Sequence, residues 1–162
     1  MSTFLDSLQA SAFSEWLSLS MLGFPTLIAL HSVGMAVVVG LSLIVTLRLF
    51  GFLDQIAESV MDRFLAVAVW GFTLNLLTGL LLFVTRGSDY LSSLVFLVKM
   101  LLVLASAAIL FWLRLRLRDD VERGVESSGD SVARNMSLVA TAAWFGAVIA
   151  GRLIAYLSDI YR

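Results

Sequence analysis

Residues 24–50 read FPTLIALHSVGMAVVVGLSLIVTLRLF, and this stretch decides the fold. It exceeds the roughly 20 apolar residues that a helix needs to cross the hydrocarbon core of a bilayer. Three further stretches have the same character, residues 64–86, 91–117 and 134–158. The sequence therefore predicts an all-α fold, an integral membrane four-helix bundle.

The composition of the whole chain also indicates a membrane protein. Of the 162 residues, 60% are apolar and 14% are charged, whereas soluble domains are about half apolar and about a quarter charged. The net charge of −1 provides no basic surface, so nucleic-acid binding is not expected. Because the chain has no cysteine, any redox chemistry must come from a bound cofactor.

The segments outside the spans complete the predicted architecture. Residues 51–63 and 114–134 are charged connectors that overlap the span ends, and residues 86–89 (RGSD) are predicted to form a tight turn between the second and third spans. Over about residues 3–18, apolar residues recur at helical spacing, which predicts a short amphipathic helix lying in the membrane interface. With no internal repeat, residues 1–162 are treated as one transmembrane domain.

The distribution of arginines predicts the orientation in the membrane, because cytoplasmic loops keep the excess of Lys and Arg. One side of the predicted bundle carries more of them than the other. The first side has Arg48, Arg63, Arg114, Arg116, Arg118, Arg123 and Arg134, and the second has Arg86, Arg152 and Arg162. We expect the first side to be cytoplasmic, with both termini in the periplasm or exterior.

Three ionisable residues fall inside the predicted spans, His31, Lys99 and Arg152. An ionisable group in hydrocarbon is costly, and each is therefore a hypothesis for a functional site. In the predicted orientation all three lie in the outer leaflet, with Asn75 deeper on the second span and Arg86 at its outer end. We expect these polar groups to converge on one outward-facing pocket.

His31 is the only histidine, and imidazole is a common ligand of heme and metals. Gly34, one turn on, lacks a side chain that would block a flat macrocycle. This pattern predicts an axial heme ligand; the alternative is a histidine that only fixes helix packing. One histidine excludes bis-histidine ligation within a chain. That leaves five-coordinate iron, sharing across a dimer, or a second ligand such as Lys99, Met35 or Met100.

Lys99 is the only lysine, and two roles are open to it. A neutral amine would ligate iron, whereas an ammonium would neutralise a heme propionate or another anion. The forked guanidinium groups of Arg152 and Arg86 suit the propionate role as well. The alternative for both arginines is snorkelling to lipid headgroups.

Small residues and acidic residues give two further indications. Asn75 lies between Gly71 and Gly79 at spacings of four, which predicts close helix packing with one polar group joining the helices. Small-residue faces also make a homo-oligomer plausible. Every acidic residue lies outside the predicted spans, which weakens a carboxylate-based hydrolase or a proton-coupled carrier.

Several motifs are spread over nearly the whole chain. They are Trp16-Leu17 with Phe24-Pro25, Leu30-His31-x-x-Gly34, Leu47-Arg48-Leu49-Phe50-Gly51, Thr78-Gly79-Leu80-Leu81-Leu82-Phe83, Phe96-x-x-Lys99-Met100 and Trp144 followed by Gly151-Arg152. This pattern resembles a family of small bacterial four-helix membrane proteins of unknown function. More distantly, the histidine and the lysine are similar to those of the copper resistance protein D membrane domain. They are also similar to those of the bacterial membrane-bound, heme-associated protoporphyrinogen oxidase.

The resemblance implies a location in the bacterial inner membrane and heme b or copper bound by His31 and Lys99, with Arg152 as a further candidate. The chain departs from the pattern at Val45-Thr46, where an acidic residue is usual. We expect heme b-binding for electron transfer or redox sensing near the outer leaflet, with an unknown redox partner. The alternatives are a copper-like carrier or channel with ligands such as His31, Lys99 and Met35, or a non-catalytic membrane subunit. Enzymatic activity stays open.

Overall fold

The computed structural model describes residues 7, 9–91, 93–124 and 130–160. These residues form five α-helices and no β-strand. The helices are α1 (Ala12–Leu19), α2 (Gly23–Leu49), α3 (Glu58–Leu91), α4 (Leu94–Arg123) and α5 (Ser131–Ile160). Helices α2 to α5 are each long and apolar enough to cross a membrane. The predicted all-α fold with four spans and a short N-terminal helix is confirmed.

The helices extend beyond the predicted spans, because a helix does not have to end where the hydrocarbon ends. Helix α3 runs from Glu58 to Leu91, so the turn predicted at residues 86–89 is wrong and this segment is helical. Gly87 fits there because its bare Cα packs against the ring of Phe83, where a Cβ would come within 3.0 Å. The connection to α4 follows Leu91 instead, and Ser93 precedes the first turn of α4.

At the end of the bundle away from the α3–α4 connection, two glycines and one aspartate determine where helices end or begin. After α2, Gly51 adopts a left-handed conformation with φ of 83°, and the backbone N–H of Phe52 donates to the carbonyl of Leu47 at 3.0 Å. This is the Schellman arrangement that closes a helix. Gly124, with φ of 67°, ends α4 in the same region of backbone space. Asp130 caps the start of α5 through its Oδ1.

The four long helices form an up-and-down bundle. Helices α2 and α3 pack closely as one antiparallel pair and α4 and α5 as another, and the pairs meet through α3 with α4 and α2 with α5. We call the end with α1 and the start of α2 the histidine end. The end with residues 50–57, the last turn of α4 and the first turn of α5 is the arginine end.

The apolar core fills the middle and the arginine end of the bundle. Its two clusters comprise Val45, Leu49, Met61, Leu65, Ala68, Leu110, Leu113, Leu117 and Ala133 at the arginine end, and Val38, Val103, Ala107, Trp144 and Ala147 in the middle. Toward the histidine end packing is looser, since every side chain of α4 from Leu94 to Leu102 is at least partly exposed. The polar residues of the candidate site lie in this looser part.

Helix α1 covers part of the histidine end. Leu17 and Ser14 are buried on its inner face, against α2 and α3, while Trp16 and Leu19 are exposed. The start of α1 is capped by Ser11, whose side chain accepts from the backbone N–H of Ser14. The helix was predicted from residue 3, and residues 1–6 and 8 lie outside the described part of the chain.

Candidate functional site

His31 and Lys99 occupy inward-facing positions of their helices. On α2 the buried residues Leu27, Gly34 and Val38 recur at the spacing of one helix face, and His31 falls in the same row. On α4, Lys99 lies one turn before buried Val103, in the row of core residues. Both side chains are only partly buried, because the bundle is loosest at this level.

Hydrogen bonds from α3 fix the ring of His31. Its Nδ1 lies 3.0 Å from the backbone carbonyl oxygen of Asn75 and 3.1 Å from Oγ1 of Thr78. A carbonyl only accepts, and the Thr78 hydroxyl donates its proton to the carbonyl of Leu74 at 2.7 Å. Nδ2 of Asn75 lies farther from Nδ1, at 3.4 Å, so we assign the proton to Nδ1, and in the neutral imidazole the lone pair is then on Nε2. None of the described residues hydrogen-bonds Nε2.

The side chain of Asn75 donates a second hydrogen bond between the helices, from α3 back to α2. Its Nδ2 donates to the backbone carbonyl of His31 at 2.8 Å, and the residue is 5% exposed. Asn75 thus joins the two helices, the packing role that its place between Gly71 and Gly79 predicts. It stabilises the position of His31 from behind and does not face an open space where a cofactor would bind.

Glycines allow α2 and α3 to approach this closely. A Cβ on Gly34 would lie 2.8 Å from both the backbone nitrogen of Asn75 and the carbonyl oxygen of Gly71. The space beside Gly34 is therefore filled by the α3 backbone, and the prediction that it leaves room for a macrocycle is wrong. Gly79 instead leaves room for the imidazole ring, because a Cβ at this position would lie 3.1 Å from Cε1 of His31.

The side chain of Lys99 extends from α4 to α5. Its Nζ lies 3.5 Å from the position that a Cβ of Gly151 would take, so the amine rests over this glycine of α5. Neither a hydrogen bond nor an ion pair engages Nζ within the described part of the chain. Lys99 belongs to the second helix pair and His31 to the first, and their convergence on one outward-facing pocket stays a prediction.

The other predicted residues are placed differently. Arg152 is exposed on the outside of α5, which fits the alternative of snorkelling to headgroups. Arg86 lies in α3, but its side chain is outside the described part of the structure. Met35 packs against the middle core cluster that contains Val38 and Trp144. Met100 is partly buried on α4.

A cluster of hydroxyl groups between α2 and α5 was missed at the level of sequence. Oγ1 of Thr46 lies 2.8 Å from Oγ1 of Thr141 and 3.0 Å from the carbonyl oxygen of Ser137. The signal was the i, i+4 spacing of Ser42 with Thr46 and of Ser137 with Thr141.

The donor set bears on which cofactors fit. Among the described residues there is no group of three or more His, Cys, Asp or Glu side chains that would hold a metal ion. No protein-family model, curated protein or solved structure matches the chain. The resemblance drawn from the sequence motifs therefore stays a prediction.

Proposed function

We propose that the protein binds heme b through Nε2 of His31 and serves in electron transfer or redox sensing. The observation that carries this proposal is the hydrogen bond from Nδ1 of His31 to the carbonyl oxygen of Asn75. Histidine ligands commonly donate their second N–H to a carbonyl, which fixes the tautomer and the ring orientation and makes the ligating nitrogen more basic.

A single histidine suits a heme better than it suits a bare metal ion. A metal ion held by protein alone needs several side-chain ligands, as in the four-coordinate sites of zinc. A porphyrin supplies four nitrogens itself, so the protein adds only one or two axial ligands. Among the described residues, His, Cys, Asp and Glu side chains form no group of three or more, and Met35 packs against the middle core cluster. We therefore favour heme over the copper-like carrier or channel.

Lys99 is the second residue of the proposed site. Within the described part of the chain its amine makes neither a hydrogen bond nor an ion pair, so it is available in either of two states. As a neutral amine Lys99 would complete the coordination, and as an ammonium it would bind a propionate. Sharing between two copies of His31 in a homo-oligomer is the other way to supply a second ligand. When bound, heme would supply one-electron chemistry.

Location and orientation belong to the same proposal. We place the protein in the bacterial inner membrane with both termini outside the cytoplasm, on the strength of the arginines at the arginine end. Because the chain has no cysteine, single cysteines are clean probes. A membrane-impermeant thiol reagent should label Met21→Cys in intact cells and label Phe52→Cys, at an exposed position after α2, only after lysis. The reverse pattern would overturn the orientation.

Visible spectroscopy of protein purified in detergent from heme-replete cells tests the proposal. We expect a Soret band that shifts on reduction and is lost in His31→Ala. Ser32→Ala, at the exposed neighbouring position, is the matched control and should retain the band. Elution as a single species in size-exclusion chromatography should show that both variants fold.

The alternatives give different results in the same experiment. Wild-type protein without a Soret band, but with copper removed by His31→Ala, would favour metal handling. A non-catalytic subunit would be favoured by two results together. The wild-type protein would contain neither heme nor metal, and the His31→Ala and Lys99→Ala variants would behave like wild type in cells. A Soret band unchanged by His31→Ala would exclude His31 as the ligand.

A further inference from the structure

One face of α5 is exposed along the length of the span and has an arginine at each end. Arg134 lies near the start of α5 and Arg152 lies 18 positions further along, and both are exposed. Because 18 residues make about five whole turns of an α-helix, the two side chains leave the helix in the same direction. The residues between them on this face recur at spacings of three or four, and all are exposed: Leu138, Ala142, Phe145 and Ile149. We call the two arginines and these four residues the α5 strip.

The separation of the two arginines matches the thickness of a bilayer. At a rise of about 1.5 Å per residue, their Cα atoms are about 27 Å apart along the helix axis, and the hydrocarbon core of a bilayer is about 30 Å thick. A charged side chain that faces lipid is costly unless it reaches the headgroup region, which a long side chain does by extending along the protein surface. From these two positions, each guanidinium reaches the headgroups of a different leaflet.

The side chain of Arg134 extends toward the arginine end of the bundle. Its Cζ lies 5.4 Å from the ring centroid of Phe50, the residue that follows α2. Stacking uses the flat face of the guanidinium, whereas its N–H donors lie along the edge and stay open to an anion. The ion pairs between described residues involve other arginines, namely Arg114, Arg116, Arg118 and Arg123. Neither arginine of the α5 strip is therefore neutralised by a carboxylate within the described part of the chain.

The other end of the α5 strip has an aromatic residue that is typical of a membrane interface. Tyr156 lies one turn beyond Arg152, on the same side of α5, and is 69% exposed. Tyrosine is enriched where the hydrocarbon meets the headgroups, because its ring is apolar and its hydroxyl is polar. Arg152 is thus one turn inside this interface, within reach of the headgroups.

We propose that the α5 strip binds phospholipids, with Arg134 and Arg152 each bound to the phosphate of one lipid, one lipid from each leaflet. A guanidinium suits this ligand because it donates two parallel hydrogen bonds to phosphate oxygens. The acyl chains then cover the apolar residues between the two headgroups. Charge favours a lipid over a second copy of the chain, since a symmetric contact between copies of the same orientation would bring their equivalent arginines together. Neither His31 nor Lys99 belongs to the strip, so this inference is independent of the heme proposal.

Native mass spectrometry of the full-length protein in detergent, titrated with phosphatidylglycerol, tests the site. We expect wild type to bind two lipids more tightly than any further ones. Arg134→Leu and Arg152→Leu should each weaken the binding of one lipid by about fivefold, the effect of one basic residue at an anionic lipid surface, and the double variant should weaken both. Arg118→Leu is the matched control and should bind like wild type, because Arg118 is exposed, pairs with Glu122 and lies outside the strip.

Three results would overturn the proposal. Equal lipid binding by wild type and the double variant would mean that the two arginines bind no lipid phosphate. Displacement of the lipids by inorganic phosphate would mean that the arginines bind a free anion. A wild-type dimer that becomes monomeric in the double variant would mean that the strip contacts a second copy. If a leucine variant does not fold, Arg134→Gln and Arg152→Gln remove the same charges and take its place.

Discussion

His31 and Asn75 bind each other reciprocally across α2 and α3. Nδ1 of His31 lies 3.0 Å from the carbonyl oxygen of Asn75, and Nδ2 of Asn75 donates to the carbonyl oxygen of His31 at 2.8 Å. A carbonyl oxygen has two lone pairs, so each of these carbonyls can accept the interhelical bond in addition to its bond within the helix. The helices approach closely enough because Gly34 meets α3 without a Cβ. The candidate ligand is therefore held by the same contacts that assemble the first helix pair.

Asn75→Leu should destabilise the protein by about 1 kcal/mol, the usual size of an interhelical hydrogen bond in a membrane protein. The leucine has similar volume, so the loss reports mainly the bond to the carbonyl of His31. Unfolding by SDS titration measures the difference. Thr73→Val is the control, because the Thr73 hydroxyl bonds only the carbonyl of Val69 in its own helix. Equal effects of the two substitutions would contradict a special role for Asn75.

Alanine substitutions at two glycines of α2 should have opposite effects. In Gly34→Ala the new Cβ would lie 2.8 Å from backbone atoms of α3, so α2 and α3 must separate. We expect a loss of at least about 2 kcal/mol, within the range for overpacking. In Gly40→Ala the Cβ meets nothing within 4 Å, and the gain in helix propensity should stabilise the protein by up to about 1 kcal/mol.

The same unfolding assay compares both alanine variants with wild type. A mild effect of Gly34→Ala would show that the two helices do not approach as closely as the structure has them. A destabilising Gly40→Ala would show that this glycine contacts another copy of the chain, and the apparent mass in detergent would then reveal an oligomer.

The fold was predictable because the bilayer imposes its length on the sequence. Stretches such as residues 24–50 are long and apolar enough to cross the hydrocarbon core, and they are too apolar for a helix exposed to water. The same argument failed at residues 86–89, because hydropathy reports where the hydrocarbon ends and not where the helix ends. Helix α3 continues to Leu91, and Gly87 accommodates the ring of Phe83 within it.

The candidate site was predictable only in part. The cost of an ionisable group in a membrane identified His31 and Lys99, and helix spacing put both on inward faces. Sequence could not tell which neighbour fills the space beside Gly34, since that depends on the crossing of α2 and α3. It also could not tell that Arg152, next to Gly151, lies on the outer face of α5.

Removing both hydroxyls between α2 and α5 should cost less than the sum of the single losses. Oγ1 of Thr46 lies 2.8 Å from Oγ1 of Thr141 in a buried setting. A double-mutant cycle with Thr46→Val and Thr141→Val should give a coupling energy of about 0.5 to 1.5 kcal/mol. As a control, Thr46→Val with Thr73→Val should be additive. Additivity of the first pair would refute the contact.

The charge of Asp130 should stabilise the protein in a pH-dependent way. Partial burial tends to raise the pKa of Asp130, but hydrogen bonds from the N–H groups of Val132 and Ala133 and from Arg116 outweigh it. The pKa therefore lies below its ordinary value of 3.8. A carboxyl with a depressed pKa stabilises fully above its ordinary value, and the contribution is lost as pH falls through the folded pKa.

Asp130→Asn keeps an oxygen to cap α5 but loses the charge beside Arg116, whose Nη2 lies 2.9 Å from Oδ2. We expect wild type to be more stable at pH 7 by about 0.5 to 1 kcal/mol, as for a charge at a helix N-terminus. The difference should decline as pH falls below 3.8 and vanish once pH lies below the lowered pKa of the folded protein. Thermal unfolding in a non-ionic detergent across this range measures it.

Asp119→Asn, at an exposed pair with Arg123, is the control and should change stability by less than about 0.5 kcal/mol. A difference between wild type and Asp130→Asn that persists in acid would show that the cap geometry, and not the charge, holds the start of α5.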